Sequence, residues 1–396
     1  MNPADLTPPY TSDSHSSFRQ NGRKSILRRL LAASLALGST LFAGGADAQS
    51  KGFLETLRRQ TIVTTTIPDT GDQNPYAVVV APVSAGMIEK NDVLVTNFNN
   101  AGNLQGLGTT IVIWRQSAKK LLTFAKLPRK MAQCPGGIGL GTAMTMLSSG
   151  WVIVGSAPSD DGTTATLGAG CLIVLDPRGQ VASVWTGDEI NAPWGNMAVV
   201  DNGGTATIFV SNAGFGIGAP GDPSPVVNRA TVLRLELATQ AGRPPTITRR
   251  TVVGSGFSAQ ADKDVFLIGP TGLALGRDGT LYVSDAVGNR VTAIADALTR
   301  KDSAGTGREI TKDGFLRRPL AMVTAPNGHL LVINGMNGQV VEVDAIAGKQ
   351  LYARWIDANR AQTPPGAGDL FGIAMTPDGD GFYFVMDEVN MLALAK

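Results

Sequence analysis

The chain has 396 residues, of which 48 are glycine, 43% are hydrophobic and 17% are charged. This apolar content excludes an intrinsically disordered chain, and so many glycines with so few charges exclude a helical bundle or a coiled coil. The formal net charge of +2 gives no basic surface for nucleic acid, so we expect no nucleic-acid partner.

The first 48 residues have the pattern of a secretory signal peptide. Basic residues that include Arg28 and Arg29 precede an apolar run over 30–43, and Ala46-Asp47-Ala48 supplies a cleavage site. The run is shorter than the roughly 20 residues that span a membrane. We therefore predict a signal peptide over residues 1–48, a periplasmic or secreted protein, and no membrane span after cleavage.

A strand–turn–strand pattern recurs through residues 49–396. Each copy has a small-apolar strand, a polar turn and an apolar strand that ends in Asn or Asp, and several turns are Asp-Gly or Asn-Gly, a strong hairpin signal. The clear copies cover 193–212, 270–285, 319–334 and 371–387, a looser copy covers 137–155, and a sixth unit covers 77–114.

The distance between copies indicates the architecture. Four short antiparallel strands need about 40–50 residues, so each period accounts for one propeller blade and its loops. We therefore predict an all-β fold, a six-bladed β-propeller that forms a single domain over residues 49–396.

The two ends of the chain are predicted to complete the same blade. The last copy ends at Lys396 after its third strand, whereas residues 60–67 form an isolated run rich in β-branched side chains, which favour strands. This N-terminal strand closes the last blade and removes an open sheet edge.

Residues 270–294 resemble an NHL repeat, and segments 319–343 and 369–394 are similar but degenerate. The segment from Asn97 to Val112 resembles a group of exported bacterial NHL-type proteins of unknown role. The resemblance implies a six-bladed propeller and no particular activity, because propellers host many functions.

Polar residues end the second strand of most blades, and the topology places them on one face. We predict a ligand-binding face there, with a second interpretation in which each Asn or Asp only caps its own turn. Two long loops that follow second strands are predicted to lie on this face, where aromatic side chains would line it. The predicted ligand-binding residues are Asn97, Asn99, Trp194, Asn196, Asn212, Phe215, Asp285, Asn334 and Asp387.

Calcium-dependent lactonases of the regucalcin/gluconolactonase kind are also six-bladed, and that family places Glu, Asn and Asp where inner strands begin. None of the corresponding residues here is a carboxylate, and His329 is the one histidine after residue 48, in a turn predicted to be exposed. No catalytic residue is predicted, and no cofactor is expected, with Ca²⁺ left open. The corresponding residues are Gly136, Trp194, Thr271, Pro319 and Phe371.

The chain has two cysteines, Cys134 and Cys171. In an exported protein such a pair favours a disulfide, with two buried thiols as the other interpretation. Both cysteines lie at the same end of the second blade, so a bridge between them is predicted.

Three functions fit these observations. The leading prediction is a non-catalytic scaffold, not an enzyme, that binds a small molecule, a glycan or a protein through one face as a monomer. The alternative is a cation-dependent hydrolase or lactonase of the regucalcin/gluconolactonase type, and the second alternative is a structural envelope or matrix protein.

Overall fold

The structure, a computed structural model, describes residues 52–218, 224–240 and 242–396, and the predicted signal peptide lies outside these residues. A short helix, α1 (Phe53–Thr56), and a first strand, β1 (Gln60–Thr65), precede six antiparallel sheets that form the blades of a propeller. The predicted all-β, six-bladed fold is confirmed.

The strands of each blade follow one another from the ring axis outward. Blade 1 contains β2 (Gln73–Val80), β3 (Val93–Asn99), β4 (Thr110–Arg115) and β5 (Lys120–Lys126). Blade 2 contains β6 (Leu140–Met146), β7 (Val152–Ser156), β8 (Cys171–Leu175) and β9 (Val181–Trp185). Blade 3 contains β10 (Ala198–Asp201), β11 (Thr205–Asn212), β12 (Val227–Gln240), β13 (Arg243–Asp262) and β14 (Phe266–Ile268).

Blades 4 to 6 repeat the arrangement. Blade 4 contains β15 (Pro270–Leu275), β16 (Leu281–Asp285), β17 (Arg290–Ile294) and β18 (Arg308–Lys312). Blade 5 contains β19 (Pro319–Thr324), β20 (Leu330–Asn334), β21 (Gln339–Asp344) and β22 (Lys349–Trp355). Blade 6 contains β23 (Leu370–Met375), β24 (Phe382–Met386) and β25 (Met391–Ala395), and β1 is its outermost strand. We call the end of the ring where inner strands begin the upper face, and the opposite end the lower face.

The N-terminal strand closes blade 6, as predicted. β1 pairs antiparallel with β25, from Gln60 opposite Ala395 to Thr65 opposite Met391. Both N–H groups before β1, of residues 58 and 59, donate to the carbonyl of Lys396 at 2.8 Å. The last blade therefore combines strands from both ends of the chain.

Helix α1 is held on the lower face by one buried carboxylate. Glu342 accepts the N–H groups of Phe53 and Leu54 at 2.8 and 2.9 Å, and it also accepts hydrogen bonds from Asn327 and His329. Burial by itself raises the pKa of Glu342, but these hydrogen bonds, led by that from the Leu54 N–H, lower it overall. The ring closure is thus anchored in blade 5 as well as in blade 6.

Glycines allow the inner strands to approach one another at the axis. A Cβ atom on Gly372 would lie 2.2 Å from the carbonyl oxygen of Tyr76, and one on Gly195 would lie 2.0 Å from that of Thr271. Any larger residue at these positions would push neighbouring blades apart.

Blade 3 departs from the regular repeat. Its outer strands β12 and β13 have 14 and 20 residues, and the end of β13 turns over the upper face, where it pairs with β14. This extension brings residues 260–266 to the upper end of the axis, beside the cavity described next. Among the described residues, no helix has the length and apolar character to cross a membrane.

Candidate active site

Five aromatic side chains fill the ring axis near the upper face. Tyr76 stacks on Phe371 and Phe98, with ring centroids 3.9 and 4.6 Å apart, while Trp194 and Phe266 meet Phe98 edge-on at 5.4 and 5.2 Å. All five rings are buried. We call this group the aromatic plug, and it forms a solid floor beneath the upper face.

A cavity of about 470 Å³ opens on the upper face beside the plug. Phe266 lines it, together with Gln105, the loop segment 162–164 of blade 2, Asp262 and Arg318. The site therefore combines an aromatic wall with amide, hydroxyl and charged groups, as small-molecule sites commonly do.

Two opposite charges meet at the wall of this cavity. Oδ2 of Asp262 lies 3.3 Å from Nη2 of Arg318, and the two side chains are 18% and 22% exposed, respectively. Oδ1 of Asp262 accepts the backbone N–H groups of Asp264 and Val265 at 2.8 and 3.1 Å. The carboxylate is thus fixed on one side, while its other oxygen faces the guanidinium.

The backbone at this cavity is strained. Phe266 and Arg318 have φ angles of 68° and 56°, in the left-handed region that bulky residues rarely adopt. The N–H of Arg318 donates to Oδ1 of Asn289 at 2.9 Å, which helps to hold this conformation. Such strain concentrates at functional sites, so its presence at two residues that line one cavity supports a functional role.

Three buried carboxyl groups cluster between blades 5 and 6 on the same face. Asp369 lies within hydrogen-bond reach of both Asp357 and Asp387. In each group one oxygen accepts a hydrogen bond from an N–H donor, whereas the other oxygen receives none from an N–H group. A hydrogen bond between two carboxyl groups requires a proton on one of them, so this arrangement favours the protonated form of Asp369 and Asp387.

Burial and mutual repulsion raise the pKa values of Asp369 and Asp387. Burial, followed by the hydrogen bond to Asp357, raises the pKa of Asp369 to about 7. Burial and the neighbouring Asp369 raise the pKa of Asp387 well above its usual range. The phenol pKa of Tyr76 is also raised well above its usual range, mainly by burial and then by Asp387 and Asp262. Charges in the acidic cluster and at the cavity therefore both act on Tyr76 in the plug.

The structure buries the polar residues predicted to form a ring at the ends of the second strands. Asn97, Asn212, Asp285 and Asn334 are fully buried. Asn212 and Asn334 accept backbone N–H groups of the segments that lead into their own inner strands, and Asp285 pairs with Arg290 at 2.9 Å. These residues join segments within their blades, so the ring is not open to a ligand.

The other predicted ligand-binding residues are also engaged within the fold. Trp194 belongs to the plug, and Asn99 is buried against the loop that follows its strand. Asn196 bonds to backbone groups of blades 4 and 5, Phe215 is half-buried, and Asp387 belongs to the acidic cluster. The predicted face is therefore the face with the cavity, but other residues line the cavity.

Two of the positions where inner strands begin do not fit a calcium ion. Ca²⁺ takes six to eight oxygen ligands, with carboxylates prominent among them. Trp194 and Phe371, at two of the positions where the lactonase family has ligands, are packed in the plug with no carboxylate between them. Among the described residues, no group of three or more His, Cys, Asp or Glu side chains is arranged to hold a metal ion.

The predicted disulfide is present. Cys134 and Cys171 are bonded, with their Cα atoms 5.3 Å apart, and both residues are buried. The bond fixes the base of the loop that carries residues 162–164 to the cavity. His329, in contrast, is not simply an exposed turn residue, because its Nδ1 lies 2.7 Å from the buried carboxylate of Glu342.

The sequence patterns did not identify the residues that line the cavity. Asp262 and Arg318 are distant in sequence, and neither belongs to the repeated strand–turn–strand pattern. The sequence offered one indication of this site, the charged run 262–264, which lies in the long segment between the copies at 193–212 and 270–285.

Solved structures of the same fold include several enzymes. A gluconolactonase, XC5397 from Xanthomonas campestris, has a TM-score of 0.50 and 15% identity over 85% of this chain and 88% of its own. A streptogramin B lyase and a luciferin-regenerating enzyme each have a TM-score of 0.50 and 13% identity over 85% of this chain, and 97% and 95% of their own. No protein-family model and no curated protein sequence matches the chain.

These comparisons correct the prediction about activity. We predicted a non-catalytic scaffold, whereas the similar structures cited are a lactonase, a lyase and a further enzyme. The leading prediction, and with it the expectation that the protein is not an enzyme, was wrong, and the findings favour the lactonase alternative. At these identities the likeness establishes the fold.

Proposed function

We propose that the protein is a hydrolase of lactonase type that opens small lactones or esters in the cavity of the upper face. The observation that carries this proposal is the Asp262–Arg318 pair, held 3.3 Å apart at the wall of a cavity of about 470 Å³. The enzymatic character of the structural relatives, one of them a gluconolactonase, supports the same reaction class.

Arg318 has the chemistry to stabilise the transition state. Among the described residues its side chain forms a polar contact with Asp262 alone, so its fork of N–H donors can also bind the carbonyl oxygen of a lactone. Negative charge develops on that oxygen when water attacks, and a fixed cationic donor stabilises this charge. The ion pair with Asp262 holds the donor in place before the substrate binds.

Asp262 is the general base in this proposal. Its Oδ2 accepts a proton from the attacking water, whose oxygen bonds to the carbonyl carbon. The tetrahedral intermediate then collapses, the ring C–O bond breaks, and the proton passes from Asp262 to the leaving alkoxide. Two backbone N–H groups hold Oδ1 and orient the carboxylate for this step.

The cavity favours a compact, polar substrate. Its size suits a molecule of one or two rings, and its amide, hydroxyl and charged lining groups suit a polar one. Gln105 is held by the backbone carbonyls of Lys263 and Asp264, at 3.3 and 3.2 Å, and thereby fixes the turn that carries Asp262. The proposed steps use Asp262 and Arg318 and do not require Ca²⁺.

We propose further that the enzyme is exported and acts as a monomer, with a small-molecule partner and no nucleic-acid partner. The signal-peptide pattern of residues 1–48 and the disulfide support export, because disulfides persist in oxidising compartments.

The test is the rate of lactone and ester hydrolysis by the purified protein. A pH-stat assay over five- and six-membered lactones and aryl acetates should find a substrate whose turnover exceeds that in buffer. Arg318→Gln should then lower kcat/KM about 100-fold, the usual effect of losing one donor to the developing oxyanion. Arg277→Gln is the matched control, because Arg277 contacts a turn on the lower face. An absence of turnover with every compound, or equal rates for Arg318→Gln and the wild type, would refute the proposal.

A further inference from the structure

A second cavity occupies the ring axis on the lower face. It measures about 340 Å³ and is lined by inner strands of blades 1, 2, 3, 5 and 6. We call it the axial funnel. Its main apolar lining residues are Val80, Met144, Met146, Met197, Val323 and Ile373.

The funnel is closed at its inner end. Asn196 lines it there, and above Asn196 the axis is filled by the aromatic plug. The amide of Asn196 donates to the carbonyls of Leu273 and Met322 at 2.9 and 3.2 Å, and its oxygen accepts their N–H groups at 3.3 and 3.2 Å. A ligand therefore enters from the lower face only, and the candidate active site is not reachable through the funnel.

The walls offer little to a polar molecule. Asn196 and Thr145 are the polar side chains among the residues that line the funnel, and every polar atom of Asn196 is already bonded to backbone. Ordered water needs two to four polar partners, so these side chains order little water even though the funnel opens to solvent. Poorly hydrated apolar cavities bind apolar ligands favourably.

The volume sets the size of the ligand. A closed apolar cavity of about 150 Å³ binds one benzene molecule, so about 340 Å³ has room for roughly twelve carbon atoms. A protein–protein interface buries about 1,200–2,000 Å² in total, far more than the walls of such a cavity provide. Flexible methionines from blades 2 and 3 allow the walls to adapt to a chain.

We propose that the axial funnel binds one unbranched aliphatic chain of about ten to twelve carbons, with its polar end at the lower face. The chain lies along the ring axis, because the inner strands surround it and the plug ends it. This site is separate from the proposed hydrolase site, and neither requires the other.

The test is titration calorimetry of the purified protein with straight-chain carboxylates of 6 to 16 carbons, each kept below its micelle concentration. Each added CH₂ group should tighten binding about fourfold, the usual effect of burying one such group. The gain should end near twelve carbons, where the funnel is full.

Two variants locate the binding site. Val323→Phe fills the funnel, and Val199→Asp places a charge on an exposed residue at its wall, so each should weaken the best carboxylate at least tenfold. Val181→Phe, on the exposed outer strand β9, is the matched control and should bind as the wild type does. Circular dichroism melting identifies any variant that does not fold, and the other variant then decides.

Three results would overturn the proposal. These are no binding at any chain length, an affinity that does not change with chain length, and equal affinity in the wild type and both folded funnel variants. Self-association through the lower face, seen by sedimentation equilibrium in the absence of carboxylate binding, would assign the funnel to a second copy of the chain instead.

Discussion

Replacement of Asp369 by Asn should change how the stability of the protein depends on pH. Asp369 is 1% exposed and has a pKa of about 7, against about 3.9 in an unfolded chain. Below about pH 4 the carboxyl is protonated in both states and does not affect stability. Between about pH 4 and 7 the unfolded chain loses its proton while the folded protein keeps it, so stability falls as pH rises.

The size of this effect follows from the two pKa values. A difference of three pKa units corresponds to about 4 kcal/mol of stability, lost by pH 8 relative to pH 4. Asn keeps an oxygen for the Glu388 N–H, which Asp369 accepts at 2.7 Å, and offers an N–H₂ group to the neighbouring carboxylates. The variant lacks the ionisation, so relative to the wild type it should gain up to about 4 kcal/mol between pH 4 and pH 8.

Urea unfolding followed by tryptophan fluorescence at pH 4, 6 and 8 measures this difference. Asp302→Asn is the matched control, because the Asp302 side chain is 88% exposed. If the wild type and Asp369→Asn differ by the same free energy at all three pH values, Asp369 does not retain its proton in the folded protein and the reasoning fails.

Three further substitutions probe other parts of the ring. Joint replacement of Cys134 and Cys171 by Ser should lower the free energy of unfolding by about 4 kcal/mol, because the bond closes a loop with a sequence separation of 37; an unchanged urea midpoint would contradict this. Glu342→Gln should cost about 2 kcal/mol at pH 7 and speed amide exchange at Phe53. Because the pKa of Glu342 is lowered, this contribution is present above about pH 4 and fades on acidification. Amide exchange equal to that of the wild type at pH 7 would show that Glu342 does not anchor helix α1. Trp194→Ala should cost about 3–5 kcal/mol by leaving a cavity in the plug, and a loss below 1 kcal/mol would show that the plug is loosely packed.

Local sequence patterns were sufficient to predict the architecture. Turn dipeptides such as Asp278-Gly279 mark hairpins, and the β-branched run of β1 matched the strand that blade 6 lacked. The disulfide was predictable because the same blade brings both cysteines to one end. These features depend on short segments and on a regular repeat.

The candidate site was not predictable in the same way. Asp262 and Arg318 come together because the outer strand of blade 3 extends over the upper face, which no periodicity indicates. The patterns placed Asn212 and Asn334 on the upper face, but they could not show that backbone N–H groups already occupy these side chains. Whether such a residue binds a ligand or caps a turn depends on its contacts with residues that are distant in the sequence.

The most direct measurement is kcat/KM for lactone hydrolysis by Asp262→Asn beside Asp278→Asn. Asn keeps the size and the backbone hydrogen bonds of Asp262 but cannot take a proton from water, so kcat/KM should fall about 100- to 10,000-fold. Asp278 bonds within its own turn on the lower face, and its variant should match the wild type. A loss of this size in Asp262→Asn alone would support the proposed general base, whereas equal rates in both variants would contradict the assignment of the active site.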